Sequence, residues 1–573
     1  MLSTDQVSDR AGESGRRRLH LEARDLIALA IVGVVLLVPV WGLLRYQGPP
    51  MEEGFMLAFP EQILHGRFPH KDFLHLYGPG SLYVLAGVYA LFGTNLYVER
   101  FVGLLQHAGV AFGMFALLRP FGRKIATTSA VISILLLIGP GGLSAMAWNG
   151  ALALAVCSMA VATAAARRPA ERSATRPLVA AGVLAGAALL YRPDMVIAVA
   201  LGLGLIWWDL PRERRRPLLV AAGATLLLYV PHLLISGVGN SFRGMFLEPV
   251  FDLREGRALP VPPSWDHIDG FLQRAGALRT DGWALPMPAL SQQITLWFWL
   301  VPLSIILVVV AAWRLRRRER DSDRARVLWP AAWFAAALLP QAMQRPDTTH
   351  LAWVSGISFA LVVPAVATLL EGRKRSFGPW TRYLAGAGLI AAILVVVIPF
   401  YPARTYIDLA AQSLGRNRFG APITVDGRTF YFGDQGGASQ AQQVADALAD
   451  ASEKGERLIA GPTDLSRTNY NDSFFYYLFP DLVPGTRYIE MDPGIANSDD
   501  SGLAEELRRN DWLILSASSD LWNEPNSSTT AGSSEPNEVV AEQYCTVLDA
   551  GGFQLLVNTA NGRGTDLCAS DAG

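Results

Sequence analysis

The residues best suited to chemistry lie between Met51 and Gly80, in MEEGFMLAFPEQILHGRFPHKDFLHLYGPG, directly after the first long apolar run. Glu52, Glu53 and Asp72 supply carboxylates there, and His70, Lys71, His75 and Tyr77 supply cationic and hydrogen-bonding groups. Charge beside a bilayer is costly unless it is solvated, paired or used. A loop that mixes such groups with aromatics and apolar runs points to a surface that handles a polar molecule next to lipid. A second set interrupts later apolar runs: Arg192-Pro193-Asp194, and Arg345, Asp347 and His350 within QRPDTTHL. Acids and cations of these types would let a carboxylate take a proton from an acceptor hydroxyl while cations stabilise an anionic leaving group. Each also has a plainer reading. Glu52 and Glu53 can be solvated loop charges, Asp72 a helix cap or a partner of Lys71, and each Arg-Pro-Asp a self-paired turn at a helix end. His65 and His107 read as hydrogen-bonded structural histidines.

The elements that must position these groups are membrane helices. The chain has 573 residues, 51% of them hydrophobic and only 17% charged, and runs of about 20 apolar residues recur along it. Spans are expected near 26–44, 100–118, 125–140, 149–166, 177–191, 195–209, 218–235, 293–313, 327–343, 350–370 and 383–401, eleven in all. Leu26 to Leu44 is span-length and lacks a small-residue cleavage site, so it reads as a retained signal anchor. Arg10, Arg16, Arg17, Arg18 and Arg24 precede it and put residues 1–25 in the cytoplasm. Clusters at 119–124, 167–176, 211–217, 314–326 and 372–382 hold 22 Lys and Arg, whereas the loops of the other face hold ten. The outer face would then carry the loops 45–99 and 236–293 and everything after the last span. Ser81–Phe92 is apolar but short, and as a span it would reverse every later loop; it is assigned to the outer surface as an interfacial helix. The run RLRRRERDSDRAR reads as a solvated cytoplasmic linker.

From about 403 to 573 the composition becomes that of a soluble domain with strong acidity: 25 Asp and Glu against 11 Lys and Arg from Arg404 onward. That balance argues against a nucleic-acid partner. Strands are expected at Ile423–Phe432, Arg457–Ala460, Tyr488–Met491, Trp512–Ser516 and Phe553–Val557. Helices are expected at Ser439–Ala451, Asp472–Leu478, Leu503–Arg509 and Glu538–Asp549, giving a small α/β domain. Gly433-Asp434-Gln435-Gly436-Gly437 sits between a strand and a helix but lacks the full glycine fingerprint of a phosphate loop. Asn523–Asn537 reads as a flexible insertion. Three cysteines exclude a disulfide scaffold and a multi-cysteine metal site; Cys157 lies in an apolar run, and Cys545 and Cys568 can pair in an oxidising compartment. Only four of the 49 basic residues are lysine, a bias expected of a GC-rich bacterial genome.

One series of motifs is more specific. Glu52-Glu53-Gly54 after the first span is followed by Gly66-Arg67-Phe68-Pro69-His70-Lys71-Asp72-Phe73, then Tyr77-Gly78-Pro79-Gly80, then Leu91-Phe92-Gly93 and Arg100. This order resembles the first outer loop of the GT-C superfamily of integral-membrane glycosyltransferases, especially the branch of protein mannosyltransferases and aminoarabinose transferases. The usual Asp-Glu pair is Glu52-Glu53 here, which leaves open which acid reaches the acceptor. The resemblance implies a polytopic α-helical fold with a C-terminal outer α/β domain, and a polyprenyl-phosphate sugar as donor. It also implies a cell-envelope glycan, lipid or protein as acceptor, and inversion at the sugar carbon. On the chemistry of these groups the expected roles are Glu52 as base, Glu53 and Asp72 as orienting carboxylates or acceptor ligands, and His70, Lys71, His75, Tyr77, Arg192, Arg345, Asp347 and His350 as the donor-phosphate side. Because some members of the superfamily use a divalent cation, Glu52, Asp72 and His75 are the trio to inspect for one. Trp265 and Trp283, in a loop that also holds Glu248, Asp252, Arg254, Asp266, His267 and Asp269, would stack on sugar or anchor at the interface. The rival reading is a transporter or flippase of a polar lipid, against which stands the absence of a repeated half. A non-catalytic envelope scaffold is the third.

Overall fold

Every one of the eleven apolar stretches is helical in the computed structural model, which describes residues 22–168, 173–262, 283–371, 378–416, 420–468, 470–518, 520, 524–562 and 566–568. Eight helical segments are long and apolar enough to cross a bilayer, and the chain is a multi-pass membrane protein. Three fall short of that description. Thr175–Tyr191 and Val196–Asp209 have 17 and 14 residues, and the apolar run of Asp323–Gln344 is diluted by Trp329, Trp333, Pro330, Pro340 and two glutamines. Helix starts follow from capping chemistry. Asn95, Ser322 and Asp347 accept backbone N–H groups at the entries to Leu96–Leu118, Asp323–Gln344 and Thr348–Leu369. Thr348–Leu369 is buried nearly throughout and forms the centre of the bundle. Gly80–Phe92 is a 13-residue helix, about 20 Å long and shorter than a bilayer core.

The C-terminal region carries the sheets. β1 (Ala421–Val425) and β2 (Arg428–Phe432) form a hairpin, where the sequence reading had one strand. Asp426 and Gly427, both at positive φ, make the two-residue turn that such hairpins favour. β3 (Arg457–Pro462), β4 (Val483–Pro484), β5 (Trp512–Ser516), β6 (Tyr544–Asp549) and β7 (Phe553–Asn558) form a mixed sheet in the order β4-β3-β5-β7-β6. β3 runs parallel to β4 and β5, while β7 is antiparallel to β5 and β6. The helix expected over Glu538–Asp549 ends at Gln543 and becomes β6, held by the Cys545–Cys568 disulfide. Tyr488–Met491 is turn, not strand. Asp434 caps the helix Gln435–Ala451 by accepting from the Gly437 N–H at 2.7 Å, so the glycine-rich stretch is a helix entry.

Candidate active site

A cavity of about 280 Å³ opens where the helix Pro50–Leu64, the two Arg-Pro-Asp corners and the C-terminal region meet. The helix starts on Pro50, whose missing N–H costs nothing at that position. Consecutive residues on a helix point about 100° apart, and Glu52, Glu53 and Gly54 therefore face three different surroundings. Glu52 is half-buried and faces the cavity, with no ion pair to any described residue. Glu53 points into the protein and pairs bidentately with Arg100, Nε–Oε1 and Nη2–Oε2 both at 2.7 Å, with side-chain exposures of 0% and 1%. Gly54 lies against the C-terminal region: a Cβ there would come within 2.5 Å of the Phe474 amide nitrogen. Two hydrogen bonds fix the same junction, from the Met51 N–H to the Tyr470 hydroxyl at 3.0 Å and from Ser473 Oγ to the Met51 carbonyl at 2.7 Å.

The two Arg-Pro-Asp corners have one construction. In each, a helix ends on an arginine at φ −140°, the extended conformation that a following proline enforces. The aspartate two residues later closes an ion pair on it. Arg192 holds Asp194 through Nε at 2.8 Å and Nη2 at 2.6 Å, and Gln341 donates to the same carboxylate at 2.7 Å. The Arg192 guanidinium lies over the Tyr77 ring at 4.1 Å and the Trp148 ring at 5.0 Å. Tyr77 reaches it because Gly78 and Gly80 press on the Leu190 carbonyl, where a Cβ would come within 2.2 and 2.8 Å. Arg345 holds Asp347 at 2.8 Å and grips Glu524 with both terminal nitrogens, at 2.8 and 2.5 Å. Asp347 also accepts from the His350 backbone N–H at 2.8 Å and from His350 Nδ1 at 2.9 Å.

Electrostatics separates the acids. Burial raises the Glu52 carboxyl above the ordinary carboxylate range, against the opposing amide of its own residue and the Arg257 charge. Burial raises Glu490 to about 7, with the Glu52 charge adding to it and Arg257 opposing. Burial also acts on Asp347, but the charge and hydrogen bonds of His350, with Arg345, outweigh it and hold that carboxyl at about 2. Arg345 is held above its ordinary value despite burial, chiefly by Glu524 and Asp347.

Of the residues singled out in the sequence, Glu52, Tyr77, Arg192, Arg345, Asp347 and His350 line the cavity. Glu53, His70, Lys71, Asp72 and His75 do not. Glu53 is taken by Arg100. Asp72 is exposed and accepts from the Phe68 N–H at 2.8 Å, which closes its own loop and caps no helix, and Lys71 is exposed beside it. His70 is buried with Nδ1 2.9 Å from His232 Nε2, and His75 packs on Phe59 and Tyr77. Burial first, then neighbouring imidazoles, lowers His70 to about 3 and His75 well below its usual value, so both are neutral and neither offers a cation. Glu52, Asp72 and His75 do not gather, and no group of three metal-ligating side chains is found among the described residues. Trp265, Asp266, His267 and Asp269 lie outside the described residues, while Trp283 carries the Arg404 guanidinium 5.8 Å over its ring. Arg257, Tyr470, Glu490 and Glu524 line the cavity and were not foreseen. The segment read as a flexible insertion supplies Glu524, docked on Arg345. Met245, Phe246, Pro249, Val250 and Leu253 add an apolar wall, and Val250 next to Phe251 is exposed on its outer side.

No family model and no curated protein matches the chain. Solved structures similar to it include ArnT from Cupriavidus metallidurans bound to undecaprenyl phosphate, at 14% identity and TM-score 0.48, covering 95% of this chain and 99% of that one. Another is the oligosaccharyltransferase of Archaeoglobus fulgidus in its apo form, at 14% identity and TM-score 0.48, covering 91% and 73%. A third is the arabinosyltransferase EmbB from Mycobacterium smegmatis, at 11% identity and TM-score 0.34, covering 70% and 42%. These scores lie below one half, and the function proposed below is carried by the cavity's own residues.

Proposed function

We propose that the protein is a membrane glycosyltransferase that moves a sugar from a polyprenyl-phosphate donor to a hydroxyl of a cell-envelope glycan, lipid or protein. One observation carries the reading: Glu52, a carboxylate with no ion pair among the described residues, shares a cavity with three arginines and an apolar wall. Glu52 takes the proton of the acceptor hydroxyl. The acceptor oxygen attacks the sugar's anomeric carbon from the face opposite the phosphate, which inverts that carbon. The bond from that carbon to the phosphate oxygen breaks, and polyprenyl phosphate leaves with the electron pair. Arg192, Arg257 and Arg345 stabilise the departing charge: a guanidinium has five N–H donors, and Arg192 and Arg257 each hold one carboxylate, while Arg345 uses four of its five on Asp347, Glu524 and the Arg257 carbonyl. His350 orients Arg345 through Asp347, and the Tyr77 ring orients Arg192 directly. The apolar wall of residues 245–253 takes the first units of the lipid.

The same reading assigns residues 1–25 to the cytoplasm, 26–402 to the membrane domain with outer loops 45–99 and 236–293, and 403–573 to an extracytoplasmic domain of a bacterial plasma-membrane protein. Its support is that the cavity-lining groups come from loops, or from ends of spans, that the basic-residue bias puts on one face, together with the disulfide of the C-terminal region. Incubation of the purified protein with radiolabelled polyprenyl-phosphate mannose or arabinose and envelope glycan tests it. Release of lipid phosphate with label on the glycan is expected. Vesicle-to-vesicle movement of intact donor without cleavage would instead establish a flippase.

A further inference from the structure

Five carboxylates line the cavity, and three of them are already paired: Asp194 with Arg192, and Asp347 and Glu524 with Arg345. Glu52 and Glu490 have no ion pair among the described residues. Glu490 is 4% exposed, and its Oε1 meets no hydrogen-bond donor. A buried acceptor left without a donor is costly, so it calls for one from a ligand or a bound water, and Glu490 is one that lines the cavity. The backbone around it is fixed. Asn471 Nδ2 donates to the Ile489 carbonyl at 2.8 Å, and the Met491 N–H donates to the Tyr488 carbonyl at 3.0 Å. Met491 is held at φ 53°, a left-handed conformation that a side chain of its size adopts only under constraint. Asp492 is bound to the Arg257 guanidinium, and the Pro493 carbonyl lies where a Cβ on Gly256 would come within 3.0 Å. The carboxylate is thus preset on the wall that the C-terminal region contributes, with Glu52 on the wall contributed by the first loop.

We propose that Glu490 positions the acceptor, and that the acceptor end is an uncharged, hydroxyl-rich group such as the terminus of a glycan. The proposal rests on the glycosyl-transfer reading and names the substrate class of the same site. Hydroxyls of a sugar ring can donate to Glu490 while the reacting hydroxyl donates to Glu52. Partial protonation of Glu490 near neutrality lets it donate as well as accept. An anionic acceptor would meet two unpaired carboxylates, and the arginines that could offset it already hold carboxylates and face the donor phosphate.

The test uses the full-length protein in detergent and saturation-transfer NMR with four probes: methyl α-mannopyranoside, methyl α-arabinofuranoside, mannose 6-phosphate and undecaprenyl phosphate. A neutral glycoside is expected to bind the wild type at least tenfold more tightly than it binds Glu490→Gln, with partial recovery in Glu490→Asp. Undecaprenyl phosphate is expected to bind all three proteins alike, which a merely structural role for Glu490 would not allow. The proposal is overturned if neither glycoside binds, if Glu490→Gln binds them unchanged, if mannose 6-phosphate binds more tightly than the neutral glycosides, or if every probe weakens together. Absence of undecaprenyl phosphate binding, with glycoside binding still dependent on Glu490, would sink the donor reading and leave Glu490 standing as a sugar-binding residue.

Discussion

Glu52 and Glu53 are adjacent carboxylates whose replacement by glutamine should have opposite consequences. Glu53 and Arg100 are both buried, joined by two hydrogen bonds at 2.7 Å, and Arg100 also donates to the Leu43 carbonyl at 3.0 Å. Glu53→Gln removes the countercharge and leaves a buried guanidinium facing a neutral amide. Breaking one side of such a pair costs about 3–5 kcal/mol, because the remaining charge stays out of water. No solvent screening reduces that figure at exposures of 0% and 1%. Glu52 is the reverse. It holds no partner that glutamine would strand, and because burial disfavours its ionised form, the neutral amide should leave stability unchanged or slightly raised. Loss of a general base should instead lower the transfer rate by about 10²–10⁴-fold. The assay pairs thermal unfolding in detergent with transfer from a radiolabelled polyprenyl-phosphate sugar. Glu52→Gln should melt with the wild type and transfer little; Glu53→Gln should melt well below it. A Glu53→Gln protein as stable as the wild type, or a Glu52→Gln protein within tenfold of its activity, would refute the division of roles.

Arg345→Ala should strand two largely buried carboxylates, Asp347 and Glu524, costing about 3–5 kcal/mol in an unfolding measurement; Arg345→Lys should recover only part, since an ammonium cannot grip Glu524 with two parallel bonds. Gly54→Ala sets a methyl 2.5 Å from the Phe474 amide nitrogen, an overpacking cost of about 1–3 kcal/mol visible as a lower unfolding midpoint. Glu490 is raised in the fold from 4.5 to about 7, so its contribution to stability is complete below about pH 4.5 and is lost as pH rises through 7. Glu490→Gln should therefore flatten the stability–pH curve across that window, by up to about 3 kcal/mol; an unchanged slope would contradict the burial argument. For transfer the sign is opposite. In the proposed mechanism ionised Glu52 is the active form, and its carboxyl is raised, so kcat/KM should fall on acidification at a pH above the ordinary carboxylate range.

The membrane helices were legible because an apolar run of span length leaves the backbone few alternatives. The Arg-Pro-Asp corners were legible too, as charge and proline breaking such runs at Arg192 and Arg345. The choice between Glu52 and Glu53 was not, because it depends on one residue of helical phase, and the buried partner of Glu53 lies 47 positions away. His70, His75 and Asp72 misled for a related reason: polar residues in a loop look alike whether they close the loop, pack or face a ligand. Tyr488–Met491 has the composition of a strand, yet the left-handed Met491 turns it into a corner. The two-strand hairpin was there to be read in Asp426-Gly427. Glu490 and Glu524 carry no local signature at all, since what marks them is burial against segments more than 100 residues distant.

The site depends on that distance. Neither Arg-Pro-Asp corner needs the C-terminal region for its internal ion pair, yet Arg345 spends three further donors on Glu524 and on the Arg257 carbonyl. Asp492 in turn neutralises Arg257, and Tyr470 caps the amide of Met51, the residue before Glu52. The C-terminal region therefore sets the charge balance around Glu52 as well as closing the cavity. The Glu52 carboxylate, placed by the first loop, and the cations placed by the helix ends are matched to one another only when that region is docked, which is why Gly54, the residue that lets it approach, stands next to the acids.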